Sequence, residues 1–415
     1  MVGNTISLYR KAYSGLSPEM WWLAVVMLIN RSGTMVIPFL TVYLTQSGYT
    51  LAQAGYAMGA FGLGAIVGSY IGGILTDRFG HFYVQVSSLF LSGALFIVLG
   101  QLHNLASIVI CIFFITAIGD AFRPANAAAI AAYSNEKNRT RSYSLNRLAM
   151  NLGFAVGPAI GGMLASHSYE LLFYADGFTC MSAAIILYFL FRKNTVKPVV
   201  KFQNSEKRKN GHSAYRDQSF LIGMAFLFMV GLCFFQVFSI LPVYYKEVIK
   251  MDEAAIGWIL AMNGLIIAFI EMVLVYKLEN RRNPITYMVL GAFLIGIAFM
   301  TLNIYPALSI ALLSMVFITF GEMFLFPFMN NFWVERSNES NRGQYAALYT
   351  MSFLASIVMA PTLASQLASR WGYKFLWSFD FLLCIFAAIG FYFLKKRLAK
   401  HEPIQEIHPD PVVGP

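Results

Sequence analysis

The sequence predicts an all-α membrane protein: twelve transmembrane helices in two six-helix halves related as a parallel repeat. Three observations carry that expectation. Only 12% of the 415 residues are charged while 58% are hydrophobic. A soluble domain carries about 25% charged residues, so most of this chain's surface must face lipid. The apolar residues also gather into runs long enough to cross a hydrocarbon core of about 30 Å as helix. Finally, landmarks recur at a nearly constant offset. Ser134-Asn135-Glu136-Lys137-Asn138-Arg139 returns as Ser337-Asn338-Glu339-Ser340-Asn341-Arg342, Pro124 matches Pro327, Pro158 matches Pro361, and Asp77 matches Glu279. Tyr169 and Asp176 return as Tyr373 and Asp380. A long-period repeat in a polytopic chain places a binding site between the halves near the bilayer midplane.

The first half is residues 1–192, with spans at 19–45, 51–76, 82–100, 104–132, 142–165 and 169–192. Span 1 follows Arg10 and Lys11 and stays apolar from Trp21 to Leu44, too long for a signal segment and without a small-residue cleavage site, so it is read as retained. Span 2 sets Gly64, Gly68 and Gly72 on one face, where another backbone can approach. Between spans 2 and 3 lies the charged, glycine-bounded stretch Gly72 to His81, flanked by uncharged runs, so the turn must form at a membrane face. Asp120 and Arg123 of span 4 are three residues apart, on one helical face, and can pair. Span 5 carries Gly153, Gly157 and Gly161 on one face, with Pro158 and Gly162 beside them; Pro158 removes a helix hydrogen bond. Asp176 lies near the outer end of span 6, as Asp380 does near that of span 12.

Residues 193–217 are polar and basic and read as a flexible linker. The second half is 218–397, with spans at 218–246, 253–278, 284–303, 306–334, 343–368 and 372–397, and 398–415 reads as a disordered tail. Phe234, Phe235 and Phe238 fall in span 7. In span 8, Gly257, Ala261, Gly264 and Ala268 make a small-residue stripe that Glu271 joins, so Glu271 faces protein or cavity. Span 10 carries Glu322 near its middle, with Pro327 a turn beyond.

The net charge of +10 does not point to nucleic acid, because the basic residues sit in short connections. One set of span ends holds only Lys246, Lys250, Arg370 and Lys374, and Arg31 and Arg123 lie within spans; the remaining Lys and Arg fall on the other set. The positive-inside rule then puts both termini in the cytoplasm. Cys111, Cys180, Cys233 and Cys384 all lie in apolar runs, which gives no disulfide framework or zinc site. The six histidines have no metal spacing and there is no phosphate loop, so neither metal nor cofactor is expected.

Gly73-x-x-x-Asp77-Arg78-x-Gly80 resembles the loop between helices 2 and 3 of the major facilitator superfamily of transporters, with His81 where the family usually has a further basic residue. In span 5, Gly153 to Gly162 resembles the fifth-helix motif of that superfamily's drug:proton antiporter branch, Gly-x-x-x-Gly-Pro-x-x-Gly-Gly. The resemblance implies alternating access in a cytoplasmic (inner) membrane. Its partners would be a small-molecule substrate, protons and membrane lipid, with a monomeric chain that is not an enzyme. It leans toward proton-coupled efflux of an apolar or amphipathic compound, with a proton symporter for peptides or another nutrient, or a lipid flippase, as alternatives. A polytopic membrane enzyme would need clustered His, Asp or Ser near one face, and a sensor would leave the mid-membrane charges without a purpose.

Those charges are the candidate site. Glu322, Glu271 and Asp120 are expected to couple protons, since a buried carboxyl in a membrane is costly and marks function. Arg31, Arg123, Phe234, Phe238 and Asn330 are expected to line the substrate cavity. The resemblance implies that Arg31 could share Asp120, because the superfamily's helices 1 and 4 both line the cavity, and that Asp176 and Asp380, in its peripheral helices 6 and 12, have a packing role. The resemblance assigns Gly73, Asp77, Arg78 and Gly80 to gating, with Asp77 meeting the start of helix 11 near 343–346, and Gly153, Gly157, Pro158, Gly161 and Gly162 to the antiporter-like motif.

Overall fold

The computed structural model describes residues 15–135, 138–192, 213–278, 281–337 and 341–401. Most of the linker, the tail from 402, and Glu279, the repeat partner of Asp77, lie outside them.

Among the described residues every regular element is helical, and the spans fall where the apolar runs put them. Their starts follow local chemistry. Asp217, Asp252 and Asn283 accept from the amides of Phe220, Ala255 and Ile285 at 3.0, 2.7 and 3.0 Å, supplying first-turn donors with acceptors. Thr50 and Gln53 close a reciprocal capping box at the head of span 2. The turn between spans 2 and 3 rests on Gly80 at φ 86°, a conformation a side chain would strain. Spans 11 and 12 run within Arg342–His401 and part at Gly372, where φ is 80°.

Several spans are broken. Span 1 is Pro18–Ser32 followed by Val36–Gln46, and span 4 is Leu105–Gly119 followed by Phe122–Tyr133. Span 7 passes through a 3₁₀ turn, Phe235–Phe238, between Gln218–Phe234 and Ile240–Glu247. Span 8 carries a π-helical turn, Ile267–Glu271, between Glu253–Ile266 and Met272–Leu278. Broken backbone at membrane depth is tolerated only where protein or a wet cavity satisfies it.

The repeat is visible in the packing. Ser17, capping span 1, donates to the carbonyl of Tyr133 at the end of span 4 at 3.0 Å; Asp217, capping span 7, takes Arg336 at the end of span 10 at 2.9 Å. Span 2 turns Gly64, Gly68 and Gly72 against Thr116, Ala117 and Ala121 of span 4 within its own half, and Gly55, Gly59 and Gly62 against Ser365, Thr362 and Val358 of span 11 in the other. Large apolar side chains such as Phe178, Phe189, Phe269, Tyr276 and Phe393 stand exposed, as lipid contact requires.

Candidate functional site

The mid-depth charges form two clusters, each in contact with span 5. The first surrounds the break in span 1. Arg31 sits in the last turn of Pro18–Ser32, where the helix dipole favours a cation. The next helix starts at Val36, and its leading amides, Met35 N and Val36 N, donate to Asp176 Oδ1 and Oδ2, each at 2.9 Å. Asp176 is fully buried, so its packing role is specific: it caps the restarted helix. Its repeat partner Asp380 is also buried and accepts from Gln236 Nε2 at 3.0 Å, inside the 3₁₀ turn of span 7.

Asp120 ends the first helix of span 4, and Arg123 Nε donates to its Oδ1 at 2.9 Å, the pairing that the three-residue spacing favours. No ion pair joins Arg31 to Asp120. The Nε of Arg31 is buried without an acceptor, and its guanidinium stands 5.5 Å from the ring centre of Phe154 in span 5. Asp120 Oδ2 is likewise buried without a donor.

The second cluster joins spans 5, 8 and 10. Arg147 Nη2 donates to Glu271 Oε1, an ion pair between the halves. Span 8 brings Glu271 there at the end of its π-helical turn, a distortion that recurs at functional sites. Asn263, one helical stretch earlier, donates through Nδ2 to Thr319 Oγ1 at 3.0 Å and to Glu322 Oε2 at 3.3 Å. Glu322 has no bonded cation among the described residues, though Glu271 and Arg147 lie within electrostatic reach. Gly321 lets span 10 close on Gly291 and Ile295 of span 9, and Pro327 leaves the Met323 carbonyl without its helical donor.

Sequence reasoning turned Glu271 toward protein or cavity and set Glu322 near the middle of span 10, but missed Arg147, which it counts among the loop cations, and Asn263. The signal for Asn263 was present: a lone amide in an otherwise apolar run of a predicted span. Nothing local pointed to Arg147, which is 124 residues from Glu271.

Of the cavity candidates, Phe234 is buried and packs on Phe326 with ring centres 5.0 Å apart. Phe326, Phe353 and Tyr349 continue an aromatic wall across spans 10 and 11, with Phe238 half-buried at its edge. Asn330 is exposed and accepts from Trp333 Nε1 at 2.7 Å. Two open apolar hollows elsewhere, one beside Tyr49 and Ile110 and one beside Leu75 and Leu91, hold no carboxylate or guanidinium.

The glycines of span 5 have two jobs. Gly153, Gly157 and Gly161 let it lie on the broken segment of span 1; a methyl group on Gly157 would stand 3.1 Å from the Thr34 carbonyl. Gly162 and the Pro158 carbonyl instead meet Gly257 of span 8 in the other half.

The halves meet unevenly. At the sparsely charged end, Thr362 donates to the Gly55 carbonyl at 3.2 Å, Gln366 to Tyr56 at 2.9 Å, and Tyr169 to Glu253 Oε1 at 2.6 Å. Lys246 completes that knot, 2.8 Å from Glu253. At the basic end Asp77 and Arg78 are exposed, a Cβ on Gly73 or Gly343 would meet nothing within 4 Å, and no hydrogen bond or ion pair joins Asp77 to the described residues of span 11. Among the described residues, the hydrogen bonds between spans 2 and 11 therefore gather at the sparsely charged end of the bundle.

The profile of the Major Facilitator Superfamily matches residues 20–361. A Na(+), Li(+), K(+)/H(+) antiporter of Planococcus maritimus is 25% identical, with 88% of this chain and 92% of that protein covered. The quinolone resistance protein NorA of Staphylococcus aureus is 27% identical over 172 residues, covering 41% of this chain and 44% of that one. Among solved structures, a POT family transporter in complex with 5-aminolevulinic acid superposes with a TM-score of 0.78 at 16% identity, over 93% of this chain and 98% of that one.

Proposed function

The chain belongs to the Major Facilitator Superfamily, and on that footing we propose that it exchanges protons for a small amphipathic compound, which it exports by alternating access. The observation that carries the reading is Glu322: a mid-depth carboxylate held by Asn263 without a bonded cation, next to the Arg147–Glu271 pair that ties the halves together. With a proton on Glu322, Arg147 belongs to Glu271 alone. When Glu322 releases it, two carboxylates compete for one guanidinium, and the contact between spans 5 and 8 weakens. Proton binding thereby biases which way the halves tilt, as coupling requires. Export is supported by the span 5 motif and by likeness to an antiporter and a resistance protein.

The asymmetry of basic residues supports an orientation with both termini in the cytoplasm of a bacterial inner membrane. On this reading the basic end, where spans 2 and 11 share no hydrogen bond among the described residues, opens inward, and closing it would bring Asp77 to the N-terminus of span 11, where a negative charge is favoured.

The test uses inverted vesicles with an acid interior and a panel of lipophilic acids, bases and neutral compounds. Wild type should concentrate its substrate; Glu322→Gln should bind and exchange it without concentrating it. Accumulation by a well-folded Glu322→Gln protein would move the coupling role to Glu271. The relative from Planococcus maritimus favours a second reading, alkali-cation exchange, in which sodium or potassium alone discharges the pH gradient.

A further inference from the structure

We propose that Arg31 anchors an acidic group of the transported molecule, so that the substrate class is an amphipathic anion or zwitterion bearing a carboxylate or phosphate. The proposal rests on the transporter reading above but not on its direction or its coupling to protons.

The argument begins with what the other charges do. Arg123 is spent on Asp120, Arg147 on Glu271, Glu322 on Asn263, and Asp176 on two backbone amides. Arg31 alone of this set makes no hydrogen bond or ion pair among the described residues. It lies about halfway through span 1, where an unpaired guanidinium is costly, and arginine cannot escape by losing its proton. Phe154 offers a ring face at 5.5 Å, which compensates in part but accepts no hydrogen bond.

The surroundings explain why no protein acceptor comes. The chain breaks directly after Arg31, and the one carboxylate at that break, Asp176, is committed to Met35 N and Val36 N. Asp120 lies within electrostatic reach and spends Oδ1 on Arg123, while its Oδ2 is buried without a donor and makes no bond to Arg31, so the three groups together leave one positive charge uncompensated. A guanidinium seated on a ring, with its N–H fork unused, suits a planar or tetrahedral oxyanion, which it binds through two parallel bonds.

The experiment measures equilibrium binding of three probes with the same chain, decanoate, decanamide and decyltrimethylammonium, to the purified full chain in phosphatidylcholine nanodiscs at neutral pH, with no gradient. Decanoate should bind about 10- to 100-fold more tightly than decanamide, the range for charge-assisted hydrogen bonds. Arg31→Gln should erase that preference while keeping the affinity for decanamide, and Arg31→Lys should retain part of it. If Arg31→Gln does not give a monodisperse protein, the wild-type ranking and Arg31→Lys decide the matter. Equal wild-type affinity for decanoate and decanamide, preference for the ammonium probe, or no decanoate binding up to its solubility limit would each overturn the proposal. Nanodiscs containing phosphatidylglycerol separate the two sources of an acidic group. A lipid headgroup occupant would weaken decanoate binding to wild type in those discs but not to Arg31→Gln; a free acid would leave it unchanged. Failure of proton-driven accumulation with the probe ranking intact would refute the antiport reading alone.

Discussion

Asp176→Asn exchanges one oxygen for an amide nitrogen at a position where both oxygens are in use. Met35 N and Val36 N each donate to the carboxylate at 2.9 Å, and the residue is fully buried. The asparagine can keep one acceptor, but it turns an N–H toward the second amide and leaves that buried donor unsatisfied, which costs about 1–3 kcal/mol. Loss of the charge on the surviving bond adds about 1 kcal/mol. The expected destabilisation is therefore about 2–4 kcal/mol. The internal repeat provides its own control. Asp380 is equally buried, yet only Oδ1 accepts, from Gln236 Nε2 at 3.0 Å, and Oδ2 has no donor. Asp380→Asn orphans nothing and should cost about 0–1 kcal/mol. The assay is unfolding of both variants and wild type in one detergent, followed by tryptophan fluorescence. Equal losses, or a larger loss for Asp380→Asn, would refute the view that Asp176 holds span 1 together at its break.

Three further outcomes are expected. Asp77→Asn should leave the unfolding midpoint within about 0.5 kcal/mol of wild type, because the side chain is exposed and unbonded here, yet reduce transport strongly while sparing binding; normal vesicle transport would remove Asp77 from the gate. Gly257→Val forces a side chain against the Pro158 carbonyl and Gly162 and should cost about 1–3 kcal/mol or more, read as lower expression of monodisperse protein, whereas the exposed neighbour Trp258→Leu should express normally. The third concerns Asp217: burial pushes its carboxyl up, but bonds from Arg336, Phe220 N and Tyr345 outweigh that and hold it below the ordinary carboxylate range. A carboxyl lowered on folding stabilises fully above its unfolded value of about 3.9 and loses that contribution as pH falls through the folded value. The gap in unfolding midpoint between wild type and Asp217→Asn should thus be constant near neutrality and shrink below about pH 4; a gap independent of pH would contradict the assignment.

The lines of the bundle were readable because lipid imposes them: apolar runs, glycine faces and a repeated set of prolines and carboxylates leave little freedom to a membrane chain. The Asp120–Arg123 pair was readable for a related reason, since three residues on a helix fix a common face. What escaped depends on rotation and depth across the chain. The partnership of Arg147 with Glu271 follows from how two helices of different halves turn toward each other, helped by a π-helical turn without a sequence signature. The breaks in spans 1 and 4 fall at short polar interruptions, Arg31 to Thr34 and Asp120 to Arg123, which a continuous helix could also carry, so the cap that Asp176 gives the restarted helix became visible only in the structure. Arg31 was legible as a charge within a span, but its buried Nε without an acceptor is visible only once the helices are packed.

The meeting of spans 5 and 8 has a kinetic consequence. Gly162 lies on Gly257, and Ala155 on Gly264, with backbone nearly touching backbone. Such a surface has no teeth. One half can roll over the other without lifting side chains out of their sockets, which is the step that makes ordinary helix packing stiff. Resistance to motion is then concentrated where the smooth track ends, in Arg147 with Glu271 toward one face and in Tyr169 and Lys246 with Glu253 at the other. Turnover rate would be set by those few polar contacts, so selection could speed or slow the machine by altering them while leaving both the track and the cargo pocket untouched.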